Sequence, residues 1–503
     1  MRLPALLAEE ARREAARGRK PAAAGRLLNL APVTITGIAF DSRKVEPGNL
    51  FAALSGTVAD GHIFIPEAVQ RGAVAVLGTT AAEAYAQLVP VIIDPDPRRR
   101  LATLAAAFYP GQPAFTAGVT GTNGKTSIAS FTRQIWDRLG IRAASLGTLG
   151  LEGRGRWPSV SLTTPDAVTL HRVAAELVRG GVGHLVVEAS SHGLDQQRLA
   201  GLDIHAAAFS NMSRDHFDYH GSYHDYFMAK RRLFTECLVP GGTAVLNADS
   251  PEFPTLVKIC NKRGCPVVAF GEAGEDLKLL GRKPELTGQV LEIAVHGRTH
   301  RLRTRLVGAF QAHNVLAALG LAVAGGAPLE QAILALAELR GAPGRMQLVV
   351  RHPSGAPAFV DYAHTPDALA KALDALRPHT KGRLHVVFGC GGNRDKGKRP
   401  LMGEVAVERA DRVWVTDDNP RNEDPAAIRR QILEPLAGRA GKVTEIGDRA
   451  AAIRAAFAAL EPGDVLIVAG KGHEQGQIVG EETLPFDDAT ELRTALAGLE
   501  SAA

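Results

Sequence analysis

Short apolar runs alternate with longer amphipathic runs along most of the chain. Beyond residue 113, several short runs are rich in Val, Ile, Leu and Ala and contain few polar side chains. Strands that a parallel sheet buries on both faces have this continuous composition, whereas half-exposed strands alternate. The pattern therefore predicts α/β domains with mostly parallel sheets. The predicted strands include 184–188, 204–210, 384–389, 412–416 and 465–469.

Two turn-rich tetrapeptides interrupt this alternation. Pro110-Gly111-Gln112-Pro113 precedes a predicted strand, and Gly341-Ala342-Pro343-Gly344 follows a predicted helix over 329–339. A chain of 503 residues is also long enough for about three domains of ordinary size. We therefore expect three α/β domains, 1–112, 113–342 and 343–503, the central one with a mostly parallel sheet and the last one Rossmann-like.

The composition is that of an ordinary globular protein, with 45% hydrophobic and 22% charged residues. The net charge of +5 is small for this length and no long basic block occurs, which argues against nucleic acid as a partner and favours anionic small molecules as substrates.

Four cysteines without a Cys-x-x-Cys pair favour a reduced, cytoplasmic location. Glu9, Glu10 and Glu14 exclude a signal-peptide core, and the uncharged stretch 315–329 is too short to span a bilayer, so we expect no membrane insertion.

One glycine-rich segment, 118–126, carries the clearest chemistry. It reads Gly-Val-Thr-Gly-Thr-Asn-Gly-Lys-Thr between a predicted strand at 114–117 and a predicted helix at 127–139. Glycine lets backbone N–H groups point at phosphate oxygens, the helix N-terminus adds partial positive charge, Lys125 adds a full charge and Thr126 offers a hydroxyl to magnesium. The segment predicts a nucleoside triphosphate site. Gly118 stands one residue too early for the general P-loop spacing, which indicates a particular family.

Two further segments place ligand-type side chains after predicted strands. Glu188 ends the strand at 184–188, where a carboxylate can hold magnesium beside a P-loop, although alone it would indicate a solvated strand end. The loop 211–221 concentrates polar and aromatic residues, including Asp215 and His216. A zinc site there lacks clear ligand spacing, so the sequence favours a substrate or magnesium loop.

These segments, in this order, resemble the Mur ligases of peptidoglycan synthesis. The resemblance is carried by 121–126, by Glu-Ala-Ser-Ser-His-Gly-Leu at 188–194 and by the Asp215-His216 loop, and it extends over nearly the whole chain. Asp41-Ser42-Arg43, followed by 47–51, is similar to the family's uridine-nucleotide domain. The resemblance implies a cytoplasmic three-domain ligase that uses ATP and Mg²⁺, and we expect a monomer.

The resemblance also assigns individual roles. Lys230 matches a lysine that the family carbamylates to N6-carboxylysine, which turns a cation into a carboxylate; its context alone indicates a solvated helix lysine. The implied catalytic residues are Lys125, Lys230 and His216, and the implied metal ligands are Thr126, Glu188, His216 and the Lys230 carbamate. The implied ATP contacts are Gly121, Thr122, Asn123, Gly124, Lys125, Thr126, Ser127, Asn314, Arg345 and Asp361. The implied muramyl-substrate contacts are Ser42, Thr163, Thr164, Ser190, Gln196 and Arg198.

The last predicted domain contains the family's diaminopimelate-type motif, Asp-Asn-Pro-Arg, intact at 418–421. Ligand-type residues follow three predicted strands, at 391–394, 418–421 and 470–474. Open α/β sheets bind ligands beyond the carboxyl ends of their strands, so we expect these residues to lie close together. Arginine binds a carboxylate through two parallel hydrogen bonds, and an acidic residue forms an ion pair with an ammonium. The expected diaminopimelate contacts are therefore Arg394 and Arg421 for the carboxylate, with Asp418, Asn419, Pro420, Gly470 and Glu474 around the amine. The alternative is a surface turn at Asn419-Pro420 with solvated arginines.

The resemblance implies that ATP drives the joining of meso-2,6-diaminopimelate to UDP-N-acetylmuramoyl-L-alanyl-D-glutamate through an acyl phosphate. Folylpolyglutamate synthetase is a related alternative, but 41–43 and 418–421 argue against it. Only the arginine pocket argues against a lysine-adding ligase. A non-catalytic nucleotide-binding regulator is disfavoured by the intact Lys125, Lys230 and Glu474.

Overall fold

The structure, a computed structural model, describes residues 1–18, 26–29, 31–56, 59–155, 157, 160, 162–213, 215–436, 438 and 440–502. The chain forms two compact units. The first comprises Met1–Lys125, Trp136–Ala269 and Gly320–Ala327, and the second comprises Thr126–Ile135, Phe270–Leu319 and Pro328–Ala503. The predicted α/β class is confirmed, while the domain boundaries predicted at 112/113 and 342/343 stay a prediction.

The first unit begins with a small sheet. Its elements are α1 (Leu3–Ala16), β1 (Arg26–Leu28), β2 (Gly37–Ala39), β3 (Asn49–Ala52), α2 (Ile65–Gln70), β4 (Ala75–Gly78), β5 (Val91–Ile93) and α3 (Pro97–Phe108). The strand order is β1-β5-β4-β3-β2, parallel except for β1. The apolar sides of β3, β4 and β5 are buried against α1 and α3.

A larger sheet follows. Its elements are β6 (Phe115–Thr120), α4 (Lys125–Arg138), β7 (Ala143–Gly147), β8 (Gly150–Gly153), α5 (Ala167–Arg179), β9 (His184–Glu188), α6 (Ser191–Asp195), β10 (Ile204–Phe209), α7 (Phe217–His220), α8 (Tyr223–Arg232), β11 (Leu238–Asn247), α9 (Phe253–Lys262) and β12 (Val267–Gly271). The strands run β12-β11-β10-β6-β9-β7-β8. β11, β10, β6, β9 and β7 pair in parallel, and β8 returns as a hairpin.

The second unit contains an antiparallel meander and a further α/β sheet. The meander is β13 (Leu277–Glu285), β14 (Gly288–Val295) and β15 (Arg298–Thr304), followed by α10 (Ala309–Ala324) and α11 (Leu329–Ala335). The sheet is built from β16 (Gln347–Arg351), β17 (Pro357–Asp361), α12 (Pro366–Leu376), β18 (Leu384–Phe388), α13 (Lys398–Arg409), β19 (Arg412–Val415), α14 (Pro425–Leu433), β20 (Val443–Glu445), α15 (Arg449–Ala458), β21 (Val465–Ala469), a hairpin of β22 (Gly476–Val479) and β23 (Glu482–Pro485), and α16 (Asp488–Ala502).

That sheet has the order β16-β17-β21-β18-β19-β20 and is parallel except for β16. Helices cover both of its faces. One apolar core contains side chains of β18 with α12 and α13, and a second contains side chains of β21 with α15 and α16. Every residue of β18 and β21 is buried, which explains their continuous apolar sequence.

The predicted strands agree closely with the structure. Those at 184–188 and 465–469 have the bounds of β9 and β21, and those at 204–210, 384–389 and 412–416 are each one residue too long. The strand predicted at 114–117 was placed wrongly, since β6 continues to Thr120, and α4 begins at Lys125 rather than at residue 127. Glycine within β6 suggested a loop, but its burial between neighbouring strands overrides that local preference.

Among the helices of the described residues, none is both long and apolar enough to cross a bilayer.

A fully buried ion pair joins two helices of the second unit. The Arg449 guanidinium, at the start of α15, donates to both carboxylate oxygens of Asp488 at 2.7 and 2.8 Å, and both side chains are 0% exposed. Arg449 also donates to the carbonyl of Ala469, the last residue of β21. The pair therefore anchors a strand end as well as two helices.

Replacing Asp488 by Asn should destabilise the second unit by about 3–5 kcal/mol, because it leaves a buried guanidinium without its counter-ion. Scanning calorimetry checks this through the midpoint of the unfolding transition. Lys371→Met is the control, since Lys371 pairs with Asp367 at the surface. Equal shifts for the two variants would contradict a structural role for the buried pair.

Candidate active site

The glycine-rich loop lies between β6 and α4 and comprises 121–124. Gly121 and Gly124 have φ values of +140° and +90°, which residues with a side chain rarely adopt. A Cβ on Gly121 would also overlap Ser210 Oγ. Gly118 is a buried residue of β6, where a Cβ would lie 2.9 Å from Leu233 Cδ1. The unusual glycine spacing thus has a packing cause, because the first glycine serves the sheet and not the loop.

The loop rests on the end of β10. Thr122 N donates to Asn211 O at 2.8 Å, and Asn123 N donates to Asn211 Oδ1 at 3.1 Å. Ser210 Oγ donates to Asn123 O at 2.6 Å. These bonds fix the loop backbone, and Thr126 and Ser127 are buried in the first turn of the following helix.

Two lysines share one carbonyl of this loop. Lys125 Nζ donates to Gly121 O and Thr122 O, both at 2.9 Å, and Lys230 Nζ donates to Gly121 O at 2.8 Å. Lys230 is 1% exposed, and its Nζ lies 4.1 Å from the centre of the Tyr226 ring. Burial, followed by repulsion from Lys125, lowers the pKa of Lys230 well below its usual value. The expectation of a solvated helix lysine from local context is wrong.

Glu188 ends β9 as a buried carboxylate. Its Oε1 accepts from Thr148 N at 2.8 Å, and its Oε2 lies 3.3 Å from Thr148 Oγ1. A Cβ on Gly147 would overlap this carboxylate, so the glycine makes room for it. The solvated-strand-end alternative is excluded by an exposure of 2%. Thr148 was not singled out from the sequence, and its position after that glycine is the one available signal.

His216 occupies a different environment from the other predicted metal ligands. Its backbone is left-handed, with φ of +54°, and its exposed ring lies 3.6 Å from Asp215 Oδ2 and 5.0 Å from the His192 ring. Among the described residues, no three His, Cys, Asp or Glu side chains come together as a metal site. Mg²⁺ commonly takes one or two carboxylates together with substrate phosphates, so the residues present fit that mode of binding.

A connected network contains five of the six predicted muramyl-substrate residues. Thr163 Oγ1 lies 2.9 Å from Thr148 Oγ1, and Thr164 Oγ1 donates to Glu188 O at 2.7 Å. Ser190 N donates to Thr164 Oγ1 at 2.9 Å, Arg198 Nη1 donates to Thr164 O at 2.6 Å, and Arg198 Nη2 donates to Gln196 Oε1 at 2.7 Å. The network thus extends from the Glu188 strand end to an arginine that can bind an anion.

Ser42 lies apart from that network. It is buried in a 3-10 turn after β2, and its Oγ donates to Glu67 Oε2 at 2.9 Å. The sequence also suggests a uridine contact for the segment Thr57-Val58-Ala59, of which Thr57 and Val58 lie outside the described residues.

The other predicted ATP contacts lie in the second unit. Asn314, in α10, donates from Nδ2 to Gln311 Oε1 at 2.9 Å. Asp361 ends β17, and its carboxylate accepts from Met346 N at 2.7 Å and Ala363 N at 2.9 Å. The Arg345 guanidinium lies 4.5 Å from the centre of the Tyr362 ring. A cation, an aromatic face and a carboxylate therefore meet at the end of β17.

The predicted amino-acid pocket lies where β18, β19 and β21 end. Arg421 is left-handed, with φ of +52°, and its Nη1 donates to Gly392 O at 2.9 Å. A Cβ on Gly391 would lie 2.9 Å from Arg421 Nη1 and 3.8 Å from Arg394 Cγ, so the two arginines flank this glycine. Arg394 itself is exposed. The structure thus places both arginine side chains beside Gly391, with the Arg421 guanidinium in contact with this glycine position.

The acidic and amide residues of the pocket also converge. Asn419 Nδ2 donates to Glu474 Oε2 at 3.1 Å, and Asp418 Oδ2 would lie 3.0 Å from a Cβ on Gly470, which has φ of +117°. Lys471 bridges Asp418, Asn419 and Glu474 and was given no role from the sequence. Its position between two glycines at a strand end is the signal that could have found it.

Comparisons with known proteins agree along the chain. The Mur ligase family catalytic domain matches residues 34–109, the Mur ligase middle domain 119–322, and the Mur ligase, glutamate ligase domain 344–472. The UDP-N-acetylmuramoyl-L-alanyl-D-glutamate–2,6-diaminopimelate ligase of Bradyrhizobium diazoefficiens is 51% identical over 472 residues, covering 93% of this chain and 96% of that protein.

Solved structures extend the comparison to the fold. A structure of UDP-N-acetylmuramoyl-L-alanyl-D-glutamate–2,6-diaminopimelate ligase has a TM-score of 0.70 and 34% identity, covering 93% of this chain and 95% of that one. The MurF ligase of Thermotoga maritima, solved in complex with ADP, has a TM-score of 0.59 at 19% identity, covering 93% of this chain and 98% of that one. The second likeness shows the fold alone.

Replacing Gly121 by Ala should weaken binding of ATP at least tenfold, because the new methyl group displaces Ser210 and the left-handed backbone costs about 1–2 kcal/mol more. Isothermal titration calorimetry with ATP measures the affinity. Gly140→Ala is the matched control, since Gly140 has φ of +76° but no atom within 4 Å of a Cβ. An unchanged affinity in the Gly121 variant would show that this loop does not hold the nucleotide.

Proposed function

The chain belongs to the Mur ligase family, and we propose that it adds meso-2,6-diaminopimelate to UDP-N-acetylmuramoyl-L-alanyl-D-glutamate at the expense of ATP. A relative that is 51% identical over 93% of the chain carries the name of that ligase. The observation that carries the proposal is the pocket at 418–421, where Asn419 bonds Glu474 and Arg421 bonds Gly392 O. Asp418 and Glu474 supply carboxylates for the ammonium of an amino-acid end group, and Arg394 and Arg421 supply guanidinium groups for its carboxylate.

The reaction proceeds in two steps. The γ-carboxylate of the D-glutamyl residue attacks the γ-phosphorus of ATP, the bond to the bridging oxygen breaks, and ADP leaves. The deprotonated amine of diaminopimelate then attacks the acyl phosphate, and inorganic phosphate leaves as the amide forms. Phosphoryl transfer of this kind depends mainly on positioning and charge neutralisation. The loop 121–127 with Lys125 provides both, and Asn314, Arg345 and Asp361 contact the remainder of the nucleotide.

Lys230 acts as its carbamate. A neutral amine adds to CO₂ and releases a proton, and the lowered pKa of Lys230 supplies that neutral amine. Tyr226, whose pKa burial raises to about 12, stays protonated and keeps its hydroxyl 3.3 Å from Thr122 Oγ1. The carbamate, Glu188, His216 and the Thr126 hydroxyl would hold Mg²⁺, which would supply positive charge beside the transferred phosphoryl group.

The nucleotide-sugar substrate has its own set of residues. Thr163, Thr164, Ser190, Gln196 and Arg198 bind its muramyl-peptide part, and Ser42 belongs to the uridine-binding domain. The hydrogen bond from Thr164 to Glu188 O supports this assignment, because a peptide bound by Thr164 would lie beside the proposed metal ligand. The enzyme acts in the cytoplasm as a monomer, where its nucleotide-linked substrate and ATP are available.

Purified protein should release phosphate from ATP when given UDP-N-acetylmuramoyl-L-alanyl-D-glutamate and meso-diaminopimelate. With L-lysine, kcat/KM should be at least about 100-fold lower, because the two arginines would lack an anion. Equal use of the two amino acids would instead support the lysine-adding alternative, and no turnover with either would support a regulatory protein.

Lys125→Ala should lower kcat at least about 100-fold through loss of charge at the phosphates.

Activity should depend on dissolved CO₂ and fall in depleted buffer. The Lys230 amine is neutral above its lowered pKa and protonated below it, so lowering the pH through that value should raise the bicarbonate requirement. A carbamate carbonyl signal should appear by NMR with ¹³C-bicarbonate and be absent in Lys230→Gln, whereas the exposed Lys258→Gln should retain it. A CO₂-independent wild type without that signal would remove the carbamate from the mechanism.

A further inference from the structure

Lys471 lies among the residues proposed to bind the amine of diaminopimelate, although the proposed reaction gives it no task. Its side chain is 0% exposed, in the loop after β21. Its Nζ is 2.8 Å from Asn419 Oδ1, 3.4 Å from Asp418 Oδ1 and 3.5 Å from Glu474 Oε2. Lysine is seldom buried without paired oxygen atoms, so this cluster is a built arrangement.

The ammonium and the backbone N–H of Ile478 together orient the Asn419 amide. Asn419 Oδ1 accepts from Lys471 Nζ and from Ile478 N at 3.0 Å, so its NH₂ group must point the other way, towards Glu474 Oε2. Glu474 Oε2 thereby receives a donor on each of two sides. Within the described part of the chain, no residue donates to Glu474 Oε1, which leaves that oxygen for a ligand's ammonium.

The ammonium also sets the charge of the pocket. Asp418 and Glu474 contribute two negative charges, and Lys471 cancels one of them. The cluster proposed to bind the amine then has one net negative charge, and the residues proposed to bind the carboxylate are Arg394 and Arg421. An end group with one ammonium and one carboxylate pairs with both the acidic residues and the arginines. A lone ammonium pairs with the acidic residues only and leaves the arginines without an anion. Without Lys471, two carboxylates would attract a lone ammonium more strongly.

We propose that Lys471 is a positioning residue that determines substrate specificity, because it orients Asn419 and Glu474 and cancels one carboxylate charge. The pocket consequently prefers the amino-carboxylate end of a diamino diacid over the plain amine of lysine. This inference rests on the proposed function and deepens it.

Lys471→Met tests the inference, since methionine keeps the unbranched side chain and removes the ammonium. KM for meso-diaminopimelate should rise about tenfold or more, as expected when a charged hydrogen bond is lost. KM for ATP and for the muramyl substrate should stay within about twofold. The ratio of kcat/KM for diaminopimelate over L-lysine should fall about tenfold.

Two further variants separate specificity from general destabilisation. His385→Leu removes the buried pairing of His385 with Asp464 in the same sheet, so it should lower the unfolding midpoint and leave the ratio unchanged. The double variant Lys471→Met with Asp418→Asn removes one charge of each sign and leaves no unpaired buried carboxylate. Its ratio should recover towards that of the wild type, and it serves as the test even if the single variant does not fold.

Two results would overturn the role of Lys471 and leave the proposed function standing. One is an unchanged ratio of kcat/KM for diaminopimelate over L-lysine in Lys471→Met, and the other is a ratio in the double variant at least tenfold below that of the wild type. A wild type that shows no preference for diaminopimelate over lysine would overturn this inference together with the pocket of the proposed function.

Discussion

A parallel strand that is buried on both faces is mostly apolar, and side chains that bind ligands lie where it ends; this constraint determines where each part of the candidate site lies. The glycine-rich loop follows β6, Glu188 ends β9, and Ser210 follows β10. In the second unit, Gly391, Asp418 and Gly470 follow β18, β19 and β21 closely. Because these strands are parallel, their carboxyl ends meet at one edge of each sheet. Apolar packing therefore positions the chemistry.

The two buried lysines of the site are held in opposite ways. Lys471 has two carboxylates and an amide oxygen around its ammonium, so its charge is matched within the pocket. Lys230 has one carbonyl, one aromatic face and the neighbouring Lys125, and among the described residues no carboxylate pairs with it. Burial without a counter-ion favours the neutral amine. Lys471 can thus organise other side chains, while Lys230 presents the neutral amine that the proposed carbamate requires.

The sequence predicted most of the fold, because runs such as 184–188 and 465–469 belong to strands that the sheet buries on both faces. Such strands are apolar along their whole length, and this makes them recognisable in the sequence. It predicted the site less completely. Lys230 was identified through the family resemblance and not from its own context, since its burial depends on how Tyr226 and Gly121 pack around it. Lys471 escaped notice because its partners are up to 53 residues away in sequence. Gly118 was assigned to the loop because spacing alone does not distinguish a glycine needed for phosphate from one needed for packing against Leu233.

Several locally unfavourable features of the structure lie at residues proposed to act on substrates. Gly121 combines a left-handed backbone with a position that has no room for a side chain, and His216 and Arg421 adopt left-handed conformations despite their side chains. Each such feature costs about 1–3 kcal/mol, and a buried cation without a counter-ion costs more. The buried pair of Arg449 and Asp488 shows that this chain can neutralise a buried guanidinium where packing alone is at stake. A buried Lys230 with no paired carboxylate among the described residues is therefore better explained by the chemistry of its neutral amine than by the needs of the fold.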